Sequence, residues 1–433
     1  MENLLPAEII SEILSRLPTE SVLQCRRVCK TWRTLLQHPY FAHMHLHRLL
    51  QLDDHKYHNH SNVAAKGGLS FLFGMFYDEE GGKQLHYGEY EGKSYKTLRR
   101  INQPLINMRY KIVGSCNGLI CICENKQRSG IYEPLYICNP INREYVNLPR
   151  LNINNENKVE RMVCGFGYHP SLNEYKVVRI YYSLDQPLGR VHVYTLGSGS
   201  QWRDIGEITY SLRHCSWNEQ FLPFPVSIFV NGAVHWLDHE EKIVAFDLAD
   251  EVFHLLPSPP CVLSVFEYFQ LRVLGGCLCV LHYMDHGKVV AIWLLKKNKE
   301  SSGYDMNEEY RSWSWSKEFT IRIGRTAYPF ALTNSGEVLL WYDSLATLSR
   351  NKSILCRYDP KTAALEKLVD NHTGFLIWEA TLHMSSLVSL KALGEKCRLR
   401  CRLRKRYLDN PTLNPNDVKQ QRKDKEEVNT DNT

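Results

Sequence analysis

The sequence predicts a small all-α module at its start, an all-β propeller-like domain of about six blades, and a basic tail expected to be disordered. Three observations point there. Apolar residues recur at helical spacing, punctuated by proline, across residues 4–50. From residue 69 the apolar runs shorten to strand length, between Gly, Asn and Pro turn signals. Markers within those runs return about 110 residues apart.

Composition bounds the reading. The chain has 433 residues, 43% hydrophobic and 23% charged, the profile of an ordinary globular protein rather than a disordered, collagen-like or disulfide-scaffold one. Its formal charge of +6 suggests an acidic partner such as nucleic acid or a membrane surface. By region, however, residues 1–50 carry +2, residues 51–390 carry −1 and residues 391–433 carry +5, so the excess sits in the tail. The opening MENLLPAEIISEIL lacks a signal design, and no stretch approaches the roughly 20 apolar residues of a membrane span. Fourteen cysteines include no C-x-x-C and no Cys/His set at zinc spacing. Reduced, mostly buried thiols in the cytoplasm and/or nucleus are expected.

Within residues 1–50, Ile9, Ile10, Ile13, Leu14 and Leu17 trace a first helix after Leu5-Pro6, with Pro6 suited to an early position. Pro18 ends it, and Thr19 or Ser21 can cap a second helix carrying Val22, Leu23, Cys25 and Val28. Trp32, Leu35 and Leu36 form a third apolar face up to Pro39. Phe41, Leu46, Leu49 and Leu50 continue a fourth. So few residues rarely fold alone, yet they carry more apolar surface than one small bundle can hide. The surplus either docks in another protein's groove or packs on the rest of this chain; the pattern leaves both open.

The segment LLPAEIISEILSRLPTESVLQCRRVCKTWRTLLQHPYF resembles the F-box along its length. It has Leu5-Pro6, the step Ile13-Leu14-x-x-Leu17-Pro18, and Val28-Cys29-Lys30-x-Trp32-Arg33. The resemblance implies docking on a Skp-family adaptor and, through it, on a cullin and a RING subunit. The adaptor contacts it implies are Leu5, Pro6, Ile9, Ile13, Leu14, Leu17, Pro18, Leu23, Val28 and Trp32. Cys25 departs from the family, which often has a bulky residue there, and its small side chain should weaken adaptor binding modestly.

Residues 51–68 are polar and His-rich and read as a linker; residues 69–392 form the β domain, and residues 393–433 the basic tail. Asn117-Gly118, Asn231-Gly232 and Ser335-Gly336 each precede an apolar strand, spaced by 114 and 104 residues. Tight hairpins favour Gly at such positions because they need positive φ. Asn139-Pro140, Asp247 and Asp359-Pro360 follow at separations of 108 and 112, and Trp202 and Trp315 lie 113 apart. One unit is then roughly 45–65 residues, the size of a four-stranded blade. A two-sheet sandwich is the competing architecture, which so regular a repeat disfavours. GSCNGLICI, NPINREYVNLP, GFGYHPSLNEYKVVRI, FVNGAVHWL and FDLADEVFHLLP resemble the F-box-associated interaction domain of plant F-box proteins, a kelch-like propeller. His169, where Asp is usual, and the closing LHMSSLVSL depart from that family locally.

Catalytic frames are absent from the sequence. There is no RING, no framed catalytic Cys, no phosphate loop and no G-x-G-x-x-G, and GSGS at 197–200 reads as a hairpin turn. His43, His45, His47, His55, His58 and His60 lack a completing carboxylate or thiolate pattern and read as solvated. No metal, cofactor or catalytic residue is expected. The run KCRLRCRLRKR at 396–406 reads first as a solvated helix end and tail; of the functional roles, a nuclear import signal suits it better than nucleic-acid or acidic-lipid contact. The resemblance therefore implies a non-catalytic subunit that recognises a target protein for ubiquitination and degradation. A scaffold that only sequesters its target, or a propeller enzyme, would be the alternatives. Target contacts are expected on loops at one face, with Glu124–Tyr132, Ser183–Gly189, Leu212–Phe221 and Asn298–Glu309 as candidates.

Overall fold

Proline sets the start of the first two helices in this computed structural model. The structure describes residues 5–57, 69–77, 82–91, 94–101, 110–125, 131–150, 159–184, 188–199, 201–213, 227–297, 313–344, 352–368 and 375–399. Helices α1 (Ala7–Leu14) and α2 (Thr19–Cys25) follow Pro6 and Pro18, where a missing N–H costs nothing because helix starts leave it unpaired anyway. Thr19 does not cap α2; its hydroxyl donates instead to the Ser385 carbonyl at 2.7 Å. Helix α3 (Lys30–Gln37) is capped by Cys29, whose sulfur accepts the Trp32 N–H. Helix α4 (Pro39–Tyr57) runs seven residues into the segment expected to be a linker, and residues 58–68 lie outside the described residues.

The β domain is a ring of six antiparallel sheets, five of four strands and one, the second, to whose outer edge the short strand Arg398–Leu399 adds a fifth. β1 (Leu69–Tyr77), β2 (Gly82–Glu91) and β3 (Ser94–Arg100) belong to the first blade. β4 (Tyr110–Cys116), β5 (Leu119–Asn125), β6 (Tyr132–Asn139) and β7 (Glu144–Asn147) form the second. β8 (Val159–His169), β9 (Glu174–Ser183), β10 (Gly189–Thr195) and β11 (Arg203–Ile208) form the third. The fourth holds β12 (Ile228–Val230), β13 (Ala233–Leu237), β14 (Ile243–Asp247) and β15 (Phe253–Leu256). The fifth holds β16 (Tyr268–Leu274), β17 (Cys277–Met284), β18 (Val289–Lys297) and β19 (Trp313–Arg322). The sixth holds β20 (Ala327–Leu332), β21 (Val338–Ser344), β22 (Lys352–Asp359) and β23 (Ala364–Lys367). β24 (Phe375–Leu382) then returns to the first blade and pairs with β1, placing Phe73 opposite Ala380. The ring is closed by strands from its two ends.

A single blade is a thin sheet with two apolar faces, so it must stack on neighbours. The buried clusters follow that rule. Val163, Val178 and Ile180 of the third blade meet Val234, Trp236 and Phe246 of the fourth. Phe71 and Phe73 of the first meet Phe330 and Trp341 of the sixth, with Phe71 and Phe330 edge-on at 5.0 Å. The other four interfaces are built the same way.

The repeat seen in the sequence has a structural cause. Asn117 (φ 48°) with Gly118 (φ 83°), and Asn231 (φ 53°) with Gly232 (φ 76°), form two-residue hairpins with both residues left-handed. The Asn139, Asp247 and Asp359 side chains accept backbone N–H groups two residues on, at 2.9, 2.7 and 2.9 Å, and so fix the turn before the outermost strand. The indole N–H of Trp202 donates to the Pro149 carbonyl at 2.6 Å, and that of Trp315 to the Pro257 carbonyl at 2.7 Å. Each Trp thus ties its blade to the preceding one.

Losing one such bond should cost about 1 kcal/mol. Trp202→Phe and Trp315→Phe should each lower the free energy of unfolding by that much in denaturant titrations. Their effects should add, because the two staples share no partner. The ring also carries buried neutral imidazoles. Burial pushes His235 and His383 down to about 4, while His383 keeps a 2.8 Å bond with Ser115. Between the ordinary pKa of about 6.5 and the folded value, the unfolded chain takes up protons that the folded one refuses. Stability should therefore fall as pH drops through that window, read as a lower denaturant midpoint near about pH 5 than near about pH 7.

Candidate partner-docking site

The first helix has two apolar faces rather than one. Leu5, Ile9 and Ile13 recur every fourth residue, while Ile10 and Leu14 stand one position on, about 100° around the helix. Ile10 and Leu14 are buried with Val22, Leu36 and Phe41 in the core of the helical module. Leu5, Ile9 and Ile13 remain 55%, 46% and 51% exposed, and Val28 is 65% exposed. Pro6 and Pro18 are exposed as well. Leu17, Leu23 and Trp32 are half-buried against the core. Of the ten residues expected to meet an adaptor, Leu14 alone is fully inside, so its contribution is to hold the helices together. Six stand free at the surface.

The core below this face is shared with the propeller. Leu387 joins the helical cluster, and Ile141 packs against it. Leu46 of α4 buries with Val388 and Leu390 at the interface of the second and third blades. The strap that carries these residues, 383–397, is tied down throughout. The Asn139 side-chain amide donates to the Ser386 and Val388 carbonyls at 3.1 and 2.7 Å, and Asn142 to those of Leu387 and Val388 at 3.1 and 2.8 Å. Ser389 donates to Glu144 at 3.0 Å, and Glu395 accepts from the Gly197 N–H at 2.9 Å and the Tyr194 hydroxyl at 3.1 Å. A Cβ on Gly118 would fall 2.2 Å from Ser386 Oγ, so this glycine also lets the strap approach. Residues 393–397, expected to begin a disordered tail, are part of this bound strap, while 400–433 lie outside the described residues.

His45 departs from the solvated reading. Its ring is fully buried, stacked on Phe41, with Nε2 bonded to the Leu17 carbonyl at 2.9 Å, and burial lowers its pKa. His43 and His47 are exposed; His55 lies on α4, and His58 and His60 are outside the described residues. Among the described residues, no group of three or more His, Cys, Asp or Glu is placed to hold a metal ion. The innermost strands enclose a cavity of about 140 Å³ lined in part by Ser115, Ser227, Arg272 and Glu379. There Glu379 accepts the Ile112 N–H at 3.3 Å, and its charge favours the buried Arg272 guanidinium.

Antiparallel meanders divide the connections between two ends of the ring. First-to-second and third-to-fourth strand turns share the strap end, where Asn117, Asn142 and Gly197 lie. Second-to-third turns and blade-to-blade crossings share the opposite end. Glu124–Tyr132, Ser183–Gly189 and Leu212–Phe221 connect strands there, away from the helical module. Residues 298–309 fall between β18 and β19, whose paired ends Lys297 and Trp313 lie at the strap end, and are themselves outside the described residues. Most residues of these loops lie outside the described residues.

Comparison with known proteins accords with this division. Residues 82–375 match the F-box associated beta propeller domain, and residues 3–43 match the F-box domain. The chain belongs to the F-box associated propeller family. An F-box protein of Arabidopsis thaliana is 27% identical over 429 residues, covering 86% of this chain and 92% of that one. F-box protein CPR1 of the same plant is 25% identical over 350 residues, covering 76% and 75%. An Arabidopsis F-box/kelch-repeat protein is 24% identical, covering 85% and 91%. Among solved structures, the six-bladed Aleuria aurantia lectin is 10% identical with a TM-score of 0.35, covering 75% of this chain and 95% of that one.

In this F-box protein the helices rest on the strap, which sequence reasoning passed over; the apolar LVSL at 387–390 was its only visible sign. Leu387→Ala should remove about 2–4 kcal/mol from the shared core. Amide exchange in α1–α3 should then quicken more than exchange in the fourth and fifth blades. Equal quickening everywhere would show that Leu387 serves the ring rather than the F-box.

Proposed function

We propose that this F-box protein is the target-recognition subunit of a Skp–cullin–F-box ubiquitin ligase. The observation that carries the reading is the exposed apolar set Leu5, Ile9, Ile13 and Val28: Ile9 and Ile13 lie on α1, whose other apolar face is already buried, Leu5 just precedes that helix, and Val28 lies between α2 and α3. Such a set is costly in water unless a partner covers it. The matched F-box supplies the chemistry of that partner, a Skp-family adaptor linked to cullin and RING subunits. The propeller then presents its far end to a target protein. Ubiquitin transfer needs no chemistry from this chain: holding the target beside a charged enzyme raises effective concentration and fixes orientation. Proteasomal degradation of the target follows from the modification. Most of the described cysteines are buried in the blade interfaces, which suits reduced thiols in a cytoplasmic or nuclear protein.

Ile9→Asp combined with Ile13→Asp places two carboxylates on the docking row without touching Ile10 or Leu14. Capture of a purified Skp-family adaptor should weaken at least about 100-fold, because each carboxylate would be buried unpaired in the complex. Unfolding midpoints should stay near those of the wild type. Undiminished capture by the double variant would refute the docking row.

A further inference from the structure

The most exposed large apolar side chains among the described residues are Val262, Val265 and Phe266, at 93%, 80% and 71%. They stand together on 257–267, the crossing from β15 to β16, at the end of the ring opposite the F-box. Exposure here is not the looseness of a free loop. The Pro257 carbonyl accepts the Trp315 indole N–H at 2.7 Å, Cys261 N–H donates to the Pro259 carbonyl at 2.8 Å, and Glu267 N–H donates to the Ser264 carbonyl at 3.1 Å. Glu267 accepts from the Ser264 N–H at 3.2 Å and bonds His282 at 2.9 Å. Cys261 and Leu263 point inward onto the interface of the fourth and fifth blades, so their neighbour Val262 points outward.

Backbone strain marks the same spot. Phe266 has φ 74°, a left-handed conformation that a bulky side chain adopts only under constraint. Its ring lies 5.2 Å from that of His286, which, with Asp285, is also left-handed on the turn between β17 and β18. A fixed framework thus holds three apolar side chains out in water, already in one arrangement. That is the economy of an interface anchor, since little ordering remains to be done on binding.

The charges nearby select the occupant. Glu267 is engaged by His282 and Ser264, and Asp285 lies 4.0 Å from Lys288. An ionised side chain docking on the patch would lose its water, and the two acids beside it, Glu267 and Asp285, already have partners. We infer that the Val262–Val265–Phe266 patch is an anchor for the target protein, and that it takes an uncharged, apolar peptide segment. The inference rests on the ligase reading for the identity of the occupant as a target, and on the geometry of the loop for its chemistry.

The test pans the full chain against a phage-displayed library of random short peptides, then measures the recovered peptides on wild type, Val262→Ser and Phe266→Gly proteins. Glycine takes φ near 74° without strain, so Phe266→Gly removes the ring and keeps the loop; Val262→Ser is a second, independent route. Recovered peptides should share an uncharged apolar core and bind either variant at least about tenfold more weakly. Peptides that bind the variants equally, peptides with a charged core, or no recovered peptide would overturn the proposal. So would a wild-type dimer in sedimentation that either variant dissociates, since the occupant would then be a second copy of this chain. Skp-family adaptor capture, run on all three proteins, separates the two readings. Equal capture with lost peptide binding supports both, whereas no capture even by wild type would end the ligase reading and the occupant's identity as its target, whatever the peptides show.

Discussion

One stretch of chain, Phe375–Cys397, supports both halves of the molecule. Its first part, β24, hydrogen-bonds to β1 and closes the ring. Its second part passes beneath the F-box, buries Leu387 among the helical residues and receives the hydroxyl of Thr19 on Ser385. A helical module of some 50 residues has too little core to fold alone. Here it borrows a wall from the propeller's last segment. Folding of the F-box is thereby tied to completion of the ring, because the wall is held by Asn139, Asn142, Glu144 and Gly197, which belong to the second and third blades.

That coupling bears on function through geometry. The apolar surplus of the helices has two destinations: Ile10, Leu14, Val22, Leu36 and Phe41 go inward, and Leu5, Ile9, Ile13 and Val28 stay outside. Of the two explanations open to the sequence, packing within this chain describes the inward face, and docking elsewhere is the one left to the outward face. With the strap pinned at so many points, the outward face holds a set orientation relative to the ring. A target carried at the far end would therefore be presented to the transfer machinery in a reproducible position, which is what a proximity mechanism requires.

Much of this was legible in the sequence, and the reasons are local. Asn-Gly pairs, Asx turns and the Trp202 and Trp315 staples depend on specific side chains, so each repeat left letters that could be counted. Helical spacing made the F-box helices legible but not their two faces: Leu14, expected to meet an adaptor alongside Ile9 and Ile13, is buried beside Ile10. What stayed hidden was non-local. Nothing beside Leu387 in the chain announces that helices from the far N-terminal end of the sequence will cover it. Nothing around His45 shows that Leu17 supplies a carbonyl to its ring. Among the described residues, the most exposed apolar side chains, Val262, Val265 and Phe266, sit in a Pro- and Ser-rich crossing that reads as an ordinary connector.

If the proposed docking is right, the outward F-box residues, and not the propeller's far end, receive the adaptor. Hydrogen–deuterium exchange of the full chain with and without a purified Skp-family adaptor measures this. Exchange across residues 5–33 should slow on adaptor binding, with exchange at 257–267 and 285–288 unchanged. Protection at the far end with none across residues 5–33, or no complex at all, would contradict it.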